Sequence, residues 1–157
     1  MNVRRASPDE AEKLWIVRNR ALRHGCKNVY DAKILAAWTP ERMPEGYRRA
    51  VADNPFFVVD DPSGQYPAAT GFLDLAIGCV EAIFTLPEFA GRGMATSILN
   101  AIKEEAKRRG FNTLMLASTP NACGFYEKNG FTPLGESLYP SRLAGANLRC
   151  MEMRWQA

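Results

Sequence analysis

The segment Leu86-Pro87-Glu88-Phe89-Ala90-Gly91-Arg92-Gly93-Met94-Ala95-Thr96 decides how this chain is interpreted. It follows a run of strand-forming residues and leads into the most regular helical pattern of the sequence. Gly91 and Gly93 have no side chains, so backbone amides can converge there on an anion. A helix N-terminus adds unpaired N–H groups and a favourable dipole. The segment therefore predicts a strand-to-helix loop that cradles a pyrophosphate, and the alternative is a tight turn without a ligand.

Two other phosphate-binding motifs are excluded by the residues present. A Walker A loop requires the triplet Gly-Lys-Ser/Thr, which does not occur in the chain. The dinucleotide fingerprint requires a third glycine or alanine where this chain has Thr96, and an acidic residue about 20 positions downstream. That downstream stretch ends in Ala117-Ser118-Thr119-Pro120 without an acid. Neither motif describes this loop.

The elements around the loop follow from hydrophobic periodicity. The clearest helix is predicted from Met94 to Arg109: one face carries Ile98, Leu99, Ile102 and Ala106, and the other carries Lys103, Glu104, Lys107 and Arg108. Ser7 and Glu10 form a capping-box pattern at the start of a helix that ends near Gly25. Further helices are predicted at 31–38, 44–53 and 120–128, and strands at 2–6, 56–59, 69–76, 79–86, 113–117, 132–138 and 146–155. This order predicts a mixed α/β (α+β) sheet protein.

Composition narrows the function. The chain has 157 residues, 46% of them apolar, and a formal net charge of +3, so we expect one domain over residues 1–157. One histidine and four scattered cysteines without a CxxC pair predict no metal site. No apolar run is long enough for a membrane span, and the first residues are not a signal peptide, so we expect a cytoplasmic protein. The basic residues after Lys103 alternate with Glu104 and Glu105, which argues against nucleic-acid binding.

Two motifs in register carry a family resemblance. Gly93 and Ala95 match the last two fixed positions of the loop pattern Gln/Arg-x-x-Gly-x-Gly/Ala, whereas Ala90 departs from its first position. The segment from Asn121 to Phe131 matches the pattern Asn-x-x-x-x-Phe-Tyr-x-x-x-Gly-Phe. Together they resemble the GNAT superfamily of acyl-CoA-dependent N-acetyltransferases. The match covers residues 69–131 well, and the flanks match by the order of elements.

The resemblance implies a fold, a reaction and partners. The expected fold is a mixed, mostly antiparallel central sheet of about six to seven strands flanked by helices. The expected activity is transfer of an acetyl group from acetyl-CoA, without a metal, to a primary amine by direct transfer in a ternary complex. A homodimer is compatible with the resemblance. The alternative from another class is an acetyl-CoA-binding sensor or interaction module with little catalysis.

The resemblance also assigns cofactor-binding residues. The loop and first helical turn, Gly91 to Thr96, would hold the pyrophosphate through backbone amides. Arg92 would add charge, or is a solvated loop arginine. The amides of the preceding strand would meet the acetyl carbonyl; these belong to Ile83, Phe84 and Thr85. Asn121 would contact coenzyme A near its sulfur arm, or caps its helix. The segment Gly91 to Thr96 comprises Gly91, Arg92, Gly93, Met94, Ala95 and Thr96.

Two residues are candidates for proton transfer. Tyr126 matches the family tyrosine that protonates the departing thiolate, and a phenol of pKa about 10 can donate to a thiolate whose conjugate acid has a pKa of about 8.5. Its alternative role is a packed aromatic residue. Glu81 is the only acid between Asp74 and Glu88. It is a candidate general base, or else an edge carboxylate facing solvent. Strand alternation predicts that it shares a face with Cys79, Ile83 and Thr85, opposite Val80, Ala82, Phe84 and Leu86.

The acceptor side is described by fewer signals. Tyr30, Trp38 and Tyr139 could form an aromatic wall, or pack elsewhere. A basic stretch near this wall could attract an acidic acceptor or form a solvated helix face; it contains Arg18, Arg20, Arg23, His24 and Lys27. His24 is a second candidate base, and Cys123 leaves a covalent acyl-cysteine route open. The identity of the amine is not determined by the sequence.

Overall fold

The computed structural model describes residues 1–157, which form seven strands and five α-helices. The strands are β1 (Arg4–Arg5), β2 (Phe56–Asp60), β3 (Pro67–Asp74), β4 (Cys79–Thr85), β5 (Thr113–Ser118), β6 (Thr132–Ser141) and β7 (Ala146–Gln156). The helices are α1 (Ala11–Gly25), α2 (Ala32–Trp38), α3 (Glu45–Asp53), α4 (Met94–Arg108) and α5 (Cys123–Lys128). The predicted mixed α/β class is confirmed.

All strands belong to one sheet with the order β1-β2-β3-β4-β5-β7-β6. Neighbouring strands are antiparallel except β4 and β5, which are parallel. The β4–β5 pairing contains a single register pair, Cys79 opposite Met115. Beyond this pair the two strands separate, so the sheet has a cleft near its centre. The predicted mostly antiparallel sheet of six to seven strands is therefore confirmed, with an opening that the sequence did not indicate.

Helix α4 covers one face of the sheet. Its predicted apolar face is completely buried, with Ile98, Leu99, Ile102 and Ala106 at 0% exposure. These residues pack with Leu73, Leu114 and Met153 from the strands beneath them, all at 0% exposure. Amphipathic periodicity thus anchors α4 against the sheet, and its N-terminus is held at the end of β4.

The opposite face is covered by α1 and α3. Phe56 and Val58 of β2 pack with Ala11 and Leu14 of α1 and with Val51 of α3. The intervening residues Phe57 and Val59 point to the α4 side. A continuous apolar strand is therefore buried on both faces, as expected for a strand between two helical layers.

A β-bulge in β4 overturns the predicted alternation of its side chains. The register with β3 shifts between Phe72, which faces Glu81, and Thr70, which faces Phe84. Ala82 lies at the shift with a φ of 54°, which is the left-handed region and costs energy for a residue with a side chain. The extra residue inverts the following side chains. Ile83 therefore packs against the α4 core instead of sharing the face of Glu81.

Some local predictions need smaller corrections. The Ser7–Glu10 capping box forms, but it opens a 3₁₀ turn at Pro8–Glu10 before α1 begins. A similar 3₁₀ turn, Pro120–Ala122, precedes α5. Lys103 is half-buried and not fully in water, because its ammonium lies 5.4 Å from the Trp155 ring centroid and donates to the Asn129 carbonyl. Long basic side chains commonly cover apolar surface in this way.

The bulge generates a stability prediction at Gly71. A Cβ atom at Gly71 would lie 2.8 Å from Ile83 Cγ1 and 2.9 Å from Ile98 Cγ2, closer than carbon atoms pack. Gly71→Ala should therefore lower the free energy of unfolding by about 1–3 kcal/mol through overpacking. Urea denaturation measures this change.

Gly124→Ala is the matched control, because a Cβ atom at Gly124 of α5 would meet nothing within 4 Å. Alanine should leave the stability unchanged or raise it by about 0.5–1 kcal/mol in a helix. Equal stability of the Gly71→Ala variant and the wild type would contradict the close approach at the bulge.

Candidate functional site

The glycine loop forms an open cradle at the start of α4. Gly91 and Gly93 have φ angles of 79° and 83°, and no atom lies within 4 Å of a Cβ placed on either residue. The first bond of the helix is donated by the Ser97 N–H to the Gly93 carbonyl at 3.0 Å. The preceding amides of Met94, Ala95 and Thr96 therefore have no intrahelical acceptor. Such amides at a helix N-terminus fit an anionic phosphate group.

The cradle lines a cavity of about 250 Å³ that reaches from β4 to α5. Its walls are formed by Thr85, Phe89, Gly91, Gly93, Met94, Ala95, Thr96 and Phe125. The structure thus brings together most of the loop residues predicted for cofactor binding. Arg92 is exposed and does not line this cavity; its guanidinium lies 5.2 Å from the Phe89 ring centroid.

A larger cavity of about 460 Å³ lies on the α1 side of the sheet, and we call it the aromatic cavity. Tyr30, Trp38 and Tyr139, the three residues predicted to form an aromatic wall, all line it. Its full lining is Trp15, Arg18, Tyr30, Trp38, Pro44, Gly46, Tyr47, Ala50, Phe72, Glu81, Ala82, Phe84, Ala117, Thr119, Tyr139, Leu143, Leu148 and Cys150. Most of these side chains are apolar, so the cavity suits a ligand with an apolar body.

The two cavities approach each other where β4 and β5 separate. On β4, Phe84 lines the aromatic cavity and the next residue, Thr85, lines the cradle. Ala117 and Thr119, at the end of β5, close the aromatic cavity on the other side of the cleft. Backbone groups of β4 that face the cleft have no partner strand beyond Cys79. The cleft therefore leaves backbone groups of β4 free at the position where its side chains line the two cavities.

Glu81 lies in the aromatic cavity. Burial raises the pKa of its carboxyl group to about 7, and the negative charge of Asp74 contributes in the same direction. A carboxyl group with this pKa exchanges protons near neutral pH, as a general base does. The sequence already indicated Glu81 as a candidate, but only the bulge brings the side chains of Glu81 and Phe84 to the same cavity.

Tyr126 is buried, with 9% exposure, and lines neither cavity. Its ring packs between Phe125 and Phe131, with centroid distances of 5.1 and 5.8 Å. Burial raises the pKa of its hydroxyl group, and the negative charge of Glu81 raises it further. The phenol is therefore protonated at neutral pH and lies within electrostatic range of Glu81.

Asn121 does not act as a helix cap. Its Oδ1 accepts a hydrogen bond from the Cys26 thiol at 3.5 Å, which joins the turn before α5 to the end of α1. Cys123 donates to the Thr119 carbonyl at 3.7 Å and lines neither the cradle nor the aromatic cavity. All four cysteines are free thiols.

The structure divides the basic stretch of α1. Arg18 alone lines the aromatic cavity. Arg20 pairs with Glu88 at 2.9 Å, which joins α1 to the glycine loop, and Arg23 donates to the Thr39 hydroxyl at 3.0 Å. His24 and Lys27 are exposed and lie outside both cavities. Geometry thus gives no support to His24 as a base.

Sequence reasoning missed several residues of the aromatic cavity, notably Trp15, Tyr47 and Phe72. Trp15 and Arg18 are three positions apart, so they share one face of α1, and this spacing could have indicated the site. Tyr47 and Phe72 come from distant elements, and no local pattern joins them to it. The Tyr47 hydroxyl is buried without a hydrogen-bond partner.

No group of three or more potential metal-ligating side chains lies together in the chain. None of the helices combines the length and the apolar character that crossing a membrane requires. The basic residues Arg108 and Arg109 both bind Glu105 at 2.7 Å, so their charges are partly neutralised.

The sequence profile of the acetyltransferase (GNAT) domain matches residues 26–156. The match spans most of the chain, including both motifs, and the protein belongs to the GNAT acetyltransferase family. The comparison with curated protein sequences gave no match.

Solved structures share the fold. A GCN5-related N-acetyltransferase from Rhodopseudomonas palustris superposes with a TM-score of 0.89 at 17% identity, covering 99% of this chain and 95% of that one. PaiA N-acetyltransferase from Thermoplasma acidophilum, solved with coenzyme A, gives 0.76 at 17% identity, covering 99% and 98%. YncA from Salmonella typhimurium, solved with its cofactor acetyl-CoA, gives 0.68 at 18% identity, covering 99% and 93%. At these identities the likeness establishes the fold.

The raised pKa of Glu81 predicts how stability depends on pH. The folded protein holds the Glu81 proton up to a pKa of about 7, whereas the unfolded chain loses it near 4.5, so stability falls as the pH rises through this interval. Glu81→Gln removes this loss. The variant should match the wild type near pH 4, below both pKa values, and exceed it by roughly 2–3 kcal/mol near pH 8 in urea denaturation.

Glu136→Gln is the control, because Glu136 is exposed on β6. It should show no comparable gain at the higher pH. A Glu81→Gln variant whose stability follows the wild type at both pH values would show that the carboxyl group is well solvated.

Proposed function

We propose that the protein is an N-acetyltransferase that transfers an acetyl group from acetyl-CoA directly to a primary amine within a ternary complex. The position of the aromatic cavity and the cradle at consecutive residues of β4, Phe84 and Thr85, beside the cleft is the observation that carries this proposal. An anionic cofactor in the cradle and an amine in the aromatic cavity would meet where β4 and β5 separate. Membership in the GNAT acetyltransferase family and the neighbours solved with coenzyme A or acetyl-CoA support the choice of donor.

The proposed donor site uses backbone groups. The amides of the Gly91–Thr96 segment would hold the pyrophosphate, since their positions are open and they precede the first bond of α4. The backbone groups of Ile83, Phe84 and Thr85 that face the cleft would orient the acetyl carbonyl and stabilise negative charge on its oxygen. Acetyl-CoA supplies an acyl group activated as a thioester. Arg92 and Asn121 are left with auxiliary roles, because neither lines the cradle.

The proposed proton transfers use Glu81 and Tyr126. Amide formation requires an ammonium to lose a proton before attack, and a carboxylate of pKa about 7 can accept it directly or through water. The nitrogen attacks the acetyl carbon, and the carbon–sulfur bond then breaks, so that the sulfur leaves with the electron pair. The nitrogen loses its second proton at this stage, and that proton replaces the one that Tyr126 gives to the sulfur. Tyr126 would supply the proton to that sulfur, consistent with a raised pKa that keeps its phenol protonated.

Cofactor binding by the cradle is tested with Gly93→Val. Gly93 has a φ of 83°, which is strained for a residue with a side chain. The valine side chain would also occupy the space where the phosphates are proposed to bind. We expect the dissociation constant of coenzyme A to rise at least tenfold, a loss of about 1.4 kcal/mol, in isothermal titration calorimetry.

Gly110→Val is the matched control for backbone strain. Gly110 has a φ of 84° with open space around it, but it follows the C-terminal end of α4, whereas the cradle lies at the N-terminus of that helix. This variant should lose similar stability and keep the affinity for coenzyme A. Equal affinity of the Gly93→Val variant and the wild type would contradict the proposed binding mode.

Catalysis is tested by thiol release from acetyl-CoA with a panel of amino acids, aromatic amines, polyamines and peptides. For an acceptor that reacts, kcat/KM should rise with pH through about 7, the pKa of Glu81. Glu81→Gln should remove this rise and lower the rate roughly 10²-fold or more, and Tyr126→Phe should lower kcat with little change in KM.

Two results would contradict these assignments. Full activity of the Tyr126→Phe variant would remove the tyrosine from the reaction. Tight binding of acetyl-CoA without turnover of any acceptor would favour the alternative, a sensor or interaction module that keeps the family fold.

A further inference from the structure

Arg18 is the one cationic side chain of the aromatic cavity. Only 8% of its surface is exposed, yet it forms no ion pair, unlike Arg4, Arg20 and Arg48. A buried cation without an acidic partner is costly, so proteins normally provide a counter-charge. The burial of Arg18 therefore indicates a function beyond packing.

The contacts of Arg18 leave one edge of the guanidinium free. Nη1 donates to Asn19 Oδ1 at 2.7 Å and to the Trp38 carbonyl at 3.0 Å. Nε and Nη2 have no protein acceptor, and neither atom is completely buried. They therefore reach the open space of the cavity. This edge presents two parallel N–H donors, the arrangement that binds a carboxylate through both oxygens.

Aromatic rings hold this edge in position. The guanidinium carbon lies 4.2 Å from the Trp15 ring centroid and 5.5 Å from that of Trp38. These contacts restrict the orientation of the group and lower the ordering cost of binding a ligand. Burial lowers the pKa of Arg18 to about 10, so the side chain is still charged at neutral pH.

The other charge of the cavity, Glu81, lies at a separate position. The two groups form no ion pair, and the Tyr139 hydroxyl lies within electrostatic range of both, since Glu81 raises and Arg18 lowers its pKa. The cavity thus has an acidic group beside the β4 bulge, a cationic group on α1 and aromatic walls between them.

We propose that Arg18 binds a carboxylate of the acceptor, and that the acceptor is an amine with a carboxylate and an apolar or aromatic body, such as an apolar amino acid. This assignment rests on the proposed acetyl transfer for the role of the ligand as acceptor. The carboxylate pairs with the free edge of Arg18, the body packs on the aromatic walls, and the ammonium lies toward Glu81. A complementary pair of charges sets the orientation of the ligand in the cavity.

Arg23 provides the matched control for a purely structural role of Arg18. Both residues hold the C-terminal end of α2: Arg18 through the Trp38 carbonyl, and Arg23 through the hydroxyl and carbonyl of the capping residue Thr39. Only Arg18 lines the aromatic cavity. Arg23→Gln therefore loosens the same segment without removing the cation from the cavity.

The test measures binding without turnover, so that it does not depend on acetyl transfer. Isothermal titration calorimetry compares 3-phenylpropanoate with the neutral 3-phenylpropanamide and with 2-phenylethylphosphonate. The wild type should bind the carboxylate at least tenfold more tightly than the amide, as expected for a charge-assisted bidentate contact. Arg18→Gln should abolish this difference, Arg18→Lys should retain part of it, and Arg23→Gln should keep it.

The other outcomes overturn the assignment. Equal affinity of the wild type for the carboxylate and the amide, or no saturable binding of either, would show that Arg18 does not recognise a carboxylate. If Arg18→Gln keeps the preference for the carboxylate, the anion binds at another position. If the wild type binds the phosphonate more tightly than the carboxylate, the free edge of Arg18 recognises a phosphate group instead. If acetyl-CoA binds but no amine reacts, while the preference holds in the wild type and disappears in Arg18→Gln, then the proposed transfer fails and the anion site stands.

Among acceptors that react, L-phenylalanine and L-phenylalaninamide provide the kinetic comparison. Arg18→Gln should raise KM for the acid roughly tenfold or more and leave kcat within a few-fold, because the contact binds the substrate away from the reacting nitrogen. The KM and kcat for the amide should not change in Arg18→Gln. An equal loss for both substrates would indicate a structural effect.

Discussion

The separation of β4 from β5 is the constraint on which the rest of the structure depends. One register pair joins these strands in the middle of a seven-stranded sheet, and the strands then diverge. A sheet normally satisfies its backbone groups through its neighbours, so this arrangement leaves free donors and acceptors at the centre of the protein. The bulge at Ala82 adds to the effect, since it turns Phe84 toward the aromatic cavity and Ile83 toward the core. Gly71 accommodates the bulge because no side chain fits between Ile83 and Ile98.

The helices on the two faces of the sheet contribute different groups beside this cleft. On one face, α4 is anchored by a fully buried apolar stripe, and its N-terminus presents unpaired amides next to the end of β4. On the other face, α1 and α3 bring Trp15, Arg18 and Tyr47 to the aromatic cavity. The apolar walls of that cavity also set its electrostatics. Low solvation raises the pKa of Glu81 to about 7, while Arg18 remains charged. A proton acceptor and a cation can therefore coexist in one cavity without neutralising each other.

Much of this was predictable from local patterns. The face of α4 that contains Ile98 and Ile102, and the glycines at its start, follow from periodicity and from the conformational freedom of glycine. The capping box of Ser7 and Glu10 also forms as predicted. Prediction failed where residues interact across the sheet. Alternation placed Glu81 and Ile83 on one face, and the bulge separates them. For Tyr126 the structure adds a buried position that lines neither cavity, and its role as proton donor stays a proposal.

The sequence by itself determined the class of fold, the position of the glycine loop and the membership of the two motifs in one family. These properties are encoded by residues that lie close together in the chain, so their spacing is sufficient to reveal them. Only the tertiary structure decided which residues share a cavity. Arg18 differs from Arg20 and Arg23 because its position on α1 faces the aromatic rings, while its neighbours meet Glu88 and Thr39. The physical reason is that burial and charge depend on distant parts of the chain, which no local pattern records.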